Sequence, residues 1–211
     1  MPLYKTIAVS NHTKVYIWKI TESFQALLNA VVLNQISNNR LAAMKSEMHQ
    51  RGFLSIRKLL QEAGYTDNDL KYDAFGKPHL IDNKHISITH SHHFSALIIS
   101  NEPCGIDIEM NREKIIGIAT KFIESELDYL NPENEPEYIK KLTIIWGAKE
   151  CIFKIKNEEG ISFKNHISVE PFELSQNQTL AKLHIPETIC SFEIHFESIE
   201  EFALVYAFIK K

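Results

Sequence analysis

Short apolar segments separated by polar clusters recur along the chain, and this pattern predicts β-strands. The first two segments flank Ser10-Asn11-His12-Thr13, a polar cluster that is typical of a hairpin turn. The predicted strands occupy residues 3–9, 14–19, 85–89, 94–100 and 104–110, and near the end of the chain 166–170, 179–184, 190–196 and 202–208.

Longer segments with helical spacing lie between these strands. Thr21 is a candidate N-cap for a helix that runs to about Leu33. Apolar residues at core spacing predict one long helix over residues 38–63, which Gly64 would end. Further helices are predicted at residues 113–121, 125–130 and 136–156. Hairpin-like strands with intervening helices in both halves of the chain predict an α+β fold with antiparallel sheets.

Composition narrows the functional classes. Hydrophobic residues make up 44% and charged residues 24%, values that are ordinary for a globular protein, and the net charge of -4 shows no basic signature of a nucleic-acid binder. The three cysteines, Cys104, Cys151 and Cys190, are widely spaced and favour free thiols over a disulfide framework. No secretory or membrane-spanning pattern is visible, so we expect a cytoplasmic protein.

The segment Gly105-Ile106-Asp107-Ile108-Glu109 carries the clearest chemical signal. Alternation along a strand places Asp107 and Glu109 on one face and both isoleucines on the other. Neighbouring carboxylates repel each other, and a hard divalent cation such as Mg²⁺ would relieve that repulsion. The alternative is an edge strand with a solvated polar face. Gly105 favours the first interpretation, because a glycine at a strand start often marks a close approach of the backbone.

A second motif, Trp146-Gly147-Ala148-Lys149-Glu150-Cys151-Ile152-Phe153-Lys154, supplies a third carboxylate between two lysines. Its ordinary interpretation is an exposed helix pair, since Glu150 and Lys154 are four residues apart. The functional interpretation is a helix flank that offers an oxygen ligand with an ammonium group on either side, with Trp146 as an apolar anchor. Acids for a metal and lysines for phosphate suggest a phosphorylated substrate.

Two weaker motifs precede these. Thr89-His90-Ser91-His92-His93 lies at the end of a predicted strand, and it is open to three interpretations: loop surface, a transition-metal site, or hydrogen bonds from His90 and the hydroxyl groups to a phosphate. Gly76-Lys77-Pro78 is a turn that carries one lysine.

In this order and at these separations, the four motifs resemble the signature of the 4'-phosphopantetheinyl transferase superfamily. Thr89 stands where the family more often has serine, which keeps the hydroxyl group. The chain length of 211 residues is similar to that of the larger, monomeric, surfactin-synthetase-activating type. The resemblance implies two pseudo-symmetric α/β halves with the active site between them, here residues 1–102 and residues 103–211, the second half carrying the metal-binding and Trp-x-x-Lys-Glu motifs.

The resemblance also implies an activity: Mg²⁺-dependent transfer of the phosphopantetheine arm from coenzyme A to a serine of an acyl or peptidyl carrier protein, with release of adenosine 3',5'-bisphosphate. Glu150 and Lys154 would be catalytic: Glu150, directly or through a metal-bound water, would take the serine proton, and Lys154 would steady the leaving phosphate. The implied metal ligands are Asp107, Glu109 and Glu150. The implied coenzyme A contacts are Lys77, Pro78, Thr89, His90, Lys149 and Lys154, with Arg51 and Arg57, or else Arg40, at the nucleotide's 3'-phosphate.

Two other functions remain open from the sequence. A superfamily member could bind coenzyme A or a carrier protein without transferring anything. A different Mg²⁺-dependent phosphotransferase or nucleotide hydrolase is disfavoured, because the chain has no Gly-x-x-x-x-Gly-Lys-Ser/Thr phosphate loop.

Overall fold

The computed structural model describes residues 3–186 and 188–211. The chain forms two compact units, Met1–Glu102 and Pro103–Lys211. Each unit has its own antiparallel sheet and its own apolar core. The predicted α+β class with antiparallel sheets is therefore confirmed.

The first unit is built on a four-stranded antiparallel sheet. The strands of the whole unit are β1 (Leu3–Ser10), β2 (Thr13–Lys19), β3 (Leu70–Tyr72), β4 (Pro78–Leu80), β5 (His85–Ser91) and β6 (Phe94–Ser100). Its helices are α1 (Phe24–Asn29), α2 (Gln35–Ala43) and α3 (Glu47–Glu62). The sheet order is β1-β2-β6-β5, and β3 and β4 form a separate two-stranded sheet. Helix α3 packs against β2 and β6, where Leu54, Leu59 and Leu97 are fully buried.

The long helix predicted over residues 38–63 is wrong, because the structure has two helices there. Met44 adopts an extended conformation between α2 and α3. Helix α2 begins earlier than expected because the Asn34 side chain caps the Ser37 amide at 2.8 Å. Asp67 holds this start from outside the helix, accepting hydrogen bonds from the Asn34 amide and the Ser37 hydroxyl, each at 2.9 Å.

The predicted N-cap at Thr21 is also wrong. The amide of the preceding residue, Ile20, donates to the His93 carbonyl at 2.7 Å, so the chain is still held alongside the end of the sheet at this point. Ser23 caps α1 instead, with its hydroxyl accepting from the Ala26 amide at 3.2 Å.

The second unit is built on a five-stranded antiparallel sheet with the order β7-β11-β10-β9-β8. Its elements are β7 (Cys104–Met110), α4 (Glu135–Lys156), α5 (Phe163–His166), β8 (Ile167–Val169), β9 (Gln178–Ile185), β10 (Thr188–Ile199) and β11 (Phe202–Ile209). Helix α4 lies across β7 and β11 and is the longest described helix, with 22 residues. Neither α4 nor any other helix of the described residues is apolar over a length that could cross a membrane.

Two helices predicted between β7 and α4 form 3₁₀ turns rather than α-helices. They cover Glu113–Lys121 and Ser125–Asp128. The first contains Gly117 and three isoleucines, residues with low helix propensity, and the second is four residues long.

Candidate active site

Strand β7 and helix α4 approach each other closely because glycines lie at their contact. A Cβ on Gly105 would overlap the carbonyl oxygen of Cys151 and would lie 2.8 Å from its Cα. A Cβ on Gly147 would lie 2.8 Å from a methyl carbon of Val205, the residue that pairs with Asp107 across the sheet. The expectation that Gly105 marks a close backbone approach is confirmed, and this approach makes the polar residues of β7 and α4 neighbours.

Asp107 is buried in this contact. Although β7 is an edge strand of its sheet, the Asp107 residue is only 5% exposed, so the solvated polar face of the ordinary interpretation does not apply. Both isoleucines of the motif, Ile106 and Ile108, are fully buried. The Lys154 ammonium reaches across from α4, donating to Asp107 Oδ1 at 2.9 Å and to the Ile106 carbonyl at 2.8 Å.

Lys154 stays charged in this position. Burial opposes its positive charge, but the Asp107 carboxylate and other nearby groups outweigh this effect, so the pKa of Lys154 is raised above its usual value. The motif lysine is thus held by the strand that carries the acidic pair.

Glu150 lies half-buried on α4 within electrostatic range of both acids of β7. Burial raises the pKa of Glu150, and the negative charges of Asp107 and Glu109 raise it further, while Lys154 opposes the shift. The carboxyl group of Glu150 therefore holds a proton more tightly than an ordinary glutamate and is a better proton acceptor when ionised.

These three acids have the chemistry of a hard-cation site, but they do not converge as ligands in the structure. Among the described residues, no group of three or more His, Cys, Asp or Glu side chains is arranged to hold a metal ion. The donor set nevertheless fits Mg²⁺, because all three groups offer carboxylate oxygens and because two of them shift the pKa of the third by repulsion. The magnesium site stays a prediction.

Lys149 lies away from the three acids, although the sequence analysis assigned it a contact with coenzyme A. Its side chain is fully buried and forms an ion pair with Glu126 at 2.8 Å. Burial lowers the pKa of Lys149, and the Glu126 carboxylate opposes that shift. The expectation was wrong because residues 149 and 150 point about 100° apart on a helix, and only the Glu150 side faces β7.

Trp146 has the anchoring role that the sequence predicts. Its ring packs edge-on against Phe122 with centroids 5.2 Å apart and lies 5.4 Å from the Phe163 ring. These contacts fix one flank of α4 against the segments on either side of it in sequence.

A cleft of about 200 Å³ lies next to Glu109, and two of its residues were missed by the sequence analysis. Arg112 and Lys114 line this cleft together with Ile115, Ile118 and Trp146. The signal in the sequence was the pair of basic residues within five positions of Glu109, which could have marked a local positive site.

In the first unit, Arg57 is a core residue, so its assignment to the nucleotide phosphate does not fit the structure. The Arg57 residue is 3% exposed and donates from Nε to Asp67 at 3.0 Å. Its Nη2 donates to the Ser37 hydroxyl at 3.2 Å, and its guanidinium carbon lies 3.5 Å from the centre of the Phe53 ring. Asp67, thirty residues from Ser37, supplied no sequence signal for this network.

Arg51 and His90 are less enclosed than Arg57, since Arg51 is half-buried and His90 is exposed. The His90 side chain lies over Gly52, the residue after Arg51, and a ring carbon of His90 is 3.0 Å from where a Cβ on Gly52 would be. The ring centres of His90 and His49 are 5.9 Å apart. Arg51 Nη2 donates to the Ile20 carbonyl at 3.2 Å, while its buried Nε has no hydrogen-bond partner within the described part of the chain. Arg40 stacks on Tyr72 at 4.1 Å.

The remaining candidates of the first unit lie in the turn before β4 and on β5. Lys77 is half-buried after Gly76, whose φ of 85° is left-handed, and its amide donates to Asp73 at 2.9 Å. Pro78 begins β4. Thr89 is buried on β5 opposite Ala96.

The sequence model of the 4'-phosphopantetheinyl transferase superfamily matches residues 103–207, which include the whole of β7 and α4. The chain is 31% identical to the 4'-phosphopantetheinyl transferase gsp of Aneurinibacillus migulanus over 132 residues, which are 61% of this chain and 54% of that protein. It is 28% identical to the 4'-phosphopantetheinyl transferase ffp of Bacillus subtilis over 118 residues, 52% of this chain and 53% of that protein. The chain thus spans about half the length of these two curated relatives.

Proposed function

The chain belongs to the 4'-phosphopantetheinyl transferase superfamily, and on this premise we propose that it transfers the phosphopantetheine arm of coenzyme A to a serine of an acyl or peptidyl carrier protein. The carrier serine oxygen forms a bond to the phosphorus that bears the pantetheine arm. The bond from that phosphorus to the bridging oxygen breaks, and adenosine 3',5'-bisphosphate leaves with that oxygen.

The observation that carries the proposal is the contact between β7 and α4. It brings together an ammonium group, Lys154, bonded to Asp107 at 2.9 Å, and a half-buried carboxyl group, Glu150, whose pKa is raised by burial and by its acidic neighbours. Glu150 is the group that accepts the proton of the carrier serine, because burial makes its carboxylate a stronger base than an exposed one. Lys154 neutralises charge on the leaving phosphate.

Asp107, Glu109 and Glu150 would hold Mg²⁺, which, when bound, neutralises the charge of the diphosphate. Asp107 is bonded to Lys154, which compensates the charge of the buried carboxylate. Coenzyme A contacts are proposed for Arg51, Lys77, Pro78, Thr89 and His90, and not for the buried Lys149 and Arg57. A monomeric state and a cytoplasmic location stay predictions.

The test is mass spectrometry on a panel of apo carrier domains from fatty-acid, polyketide, nonribosomal-peptide and lysine-processing systems. Each is incubated with the protein, coenzyme A and Mg²⁺. We expect at least one carrier to gain the mass of one phosphopantetheine group, with no gain when its acceptor serine is changed to alanine or when Mg²⁺ is chelated. If coenzyme A binds and no carrier of the panel gains mass, the protein is a binding module. Phosphate release from ATP would instead indicate a different phosphotransferase.

A further inference from the structure

Helix α4 carries a buried ion pair that the proposed chemistry does not use. The Lys149 ammonium lies 2.8 Å from Glu126 Oε1, and both side chains are 0% exposed. Glu126 lies in the 3₁₀ turn Ser125–Asp128, outside every motif that the sequence analysis singled out. It accepts hydrogen bonds from two backbone amides, that of Val169 at 2.9 Å and that of Glu124 at 3.1 Å.

The Lys149 ammonium is surrounded by hydrogen-bond acceptors from several parts of the second unit. Besides Glu126, it donates to the carbonyl oxygens of Phe122, Phe163 and Ile167 at 2.6, 3.1 and 2.7 Å. These carbonyls belong to the segment before α4, to helix α5 and to strand β8. A single side chain therefore ties α4 to three separate backbone segments, each through a polar bond with fixed geometry.

The position of Lys149 on the helix connects this anchor to the candidate active site. Glu150 follows it directly, about 100° around the helix, and Lys154 lies about 7.5 Å further along the axis. Any rotation or axial shift of α4 that breaks the ion pair and the carbonyl contacts of Lys149 also moves Glu150 and Lys154 relative to Asp107. On the opposite side, the close approach of Gly105 to Cys151 leaves the helix little space to adjust.

Stability alone does not explain the pair. Removing two charges from water is unfavourable, and apolar side chains of similar size often stabilise a core as well or better. What an ion pair with backbone hydrogen bonds adds is a single permitted geometry.

We propose that Glu126 and Lys149 are positioning residues: their buried ion pair fixes the rotation and axial position of α4, and so sets where Glu150 and Lys154 lie relative to the acids of β7. The inference rests on the proposed function for the roles of Glu150 and Lys154. It assigns no contact with substrate to Glu126 or Lys149.

The test compares the full-length protein with Lys149→Met and with the double variant Glu126→Gln/Lys149→Met. The double variant leaves no unpaired buried charge, so it keeps the test available if the single variant fails to fold. Lys141→Met is the matched control, because Lys141 lies on the same helix, is 10% exposed and pairs with Glu137 at 2.8 Å. Circular dichroism confirms that each variant is folded before it is assayed.

Two readouts, Mg²⁺ affinity and kcat against KM, separate positioning from a merely structural role, and a third, hydrogen exchange, tests whether the pair restrains α4. We expect folded Lys149→Met to bind Mg²⁺ about tenfold more weakly by calorimetry, as when a group that orients a metal ligand is lost. We expect its kcat to fall while its KM for the carrier stays unchanged. Hydrogen exchange of the α4 backbone amides, measured without metal, should be faster than in Lys141→Met.

The outcomes distinguish this inference from the proposed function. If the wild-type protein transfers nothing to any carrier, the proposed function fails, and Mg²⁺ affinity and hydrogen exchange still decide the positioning role. If the wild-type protein binds no Mg²⁺, the fall in kcat at an unchanged KM for the carrier decides it. A folded variant lacking Lys149 with wild-type Mg²⁺ affinity, kcat and α4 exchange would overturn the inference.

Discussion

Glu150 combines two unfavourable conditions for a charged carboxylate. It is half-buried, and it lies within range of Asp107 and Glu109, so its pKa is raised. A structural residue at this position would serve better without charge, since desolvation and like-charge repulsion both disfavour the ionised form. Retaining an acid here is understandable if the group takes a proton or binds a cation.

Replacing Glu150 by glutamine tests whether this carboxyl group acts as a base or as a metal ligand. We expect Glu150→Gln to lower transfer by at least about a hundredfold, because the amide cannot accept the serine proton. The melting temperature of the metal-free protein should not fall, since the substitution removes an unfavourable buried charge.

The matched control for this variant is Glu135→Gln, an exposed acid in the first turn of the same helix. It should transfer at the wild-type rate. Near-normal turnover in Glu150→Gln would remove Glu150 from the mechanism.

His195 gives the stability of the protein a predictable pH dependence. Burial lowers the pKa of His195 from its ordinary value of 6.5, against a weaker opposing effect of Glu193. Below pH 6.5 the unfolded chain takes up a proton at this position that the folded chain resists. The contribution of His195 to the free energy of unfolding is therefore fully present above pH 6.5 and is lost as the pH falls through the lowered value.

His195→Phe should remove this contribution while keeping a ring stacked on Tyr206, whose centroid lies 5.2 Å from that of His195. We expect the free energy of unfolding to depend less steeply on pH in the variant than in the wild type, measured by urea unfolding in buffers that bracket pH 6.5. Parallel pH profiles would show that His195 titrates equally in both states.

At the scale of elements, the contact between β7 and α4 depends on the absence of a side chain at Gly105. A methyl group there would overlap the backbone of Cys151, which the rest of α4 holds in place. Overpacking against atoms that cannot move costs about 1–3 kcal/mol and shifts the backbone. Because Asp107 and Glu150 lie on the two elements that would separate, activity should suffer together with stability.

We therefore expect Gly105→Ala to lower the free energy of unfolding by about 1–3 kcal/mol in urea titrations and to reduce transfer by the folded protein. Gly117→Ala is the control, since a Cβ at Gly117 meets no atom within 4 Å. A Gly105→Ala protein as stable as this control would show that the two backbones can separate freely.

The elements that the sequence predicts well are those defined by local signals. Strands β6 and β7 have the predicted bounds, because turn residues and apolar spacing lie within a few positions of their ends. The early start of α2, at Gln35, was missed because Asp67, far along the chain, stabilises it. No local periodicity reports such a contact.

The same distinction separates the correct and incorrect parts of the candidate site. Strand alternation alone predicts that Asp107 and Glu109 share a face. Periodicity could not say which flank of α4 turns towards β7, because α4 is apolar on more than one side and buries Leu142, Ile145 and Ile152. The sequence therefore could not distinguish the core residue Lys149 from Lys154, which bonds to Asp107.

At the scale of the whole molecule, neither unit relies on covalent cross-links. The chain has three cysteines, and none of them forms a disulfide in the structure. Each unit is instead held by an apolar cluster, centred in the first on residues such as Leu54 and Leu60 and in the second on Ile145 and Phe192. The second unit contains all three cysteines, so protection of its buried thiols from chemical reagents reports whether this unit is folded.

Thiol titration makes this a quantitative prediction. The thiolate is the reactive form, and burial raises the pKa of Cys151 well above its usual value, while Cys104 is 5% exposed. Cys190, partly exposed on β10, should react rapidly with a chromogenic disulfide reagent in the native protein, and the two others should react only as the unit opens. Cys190→Ser should abolish the rapid phase, and three thiols should react in denaturant in the wild type. Rapid native reaction of a second thiol would contradict the packing of α4 against β7, because Cys151 lies at the centre of that contact.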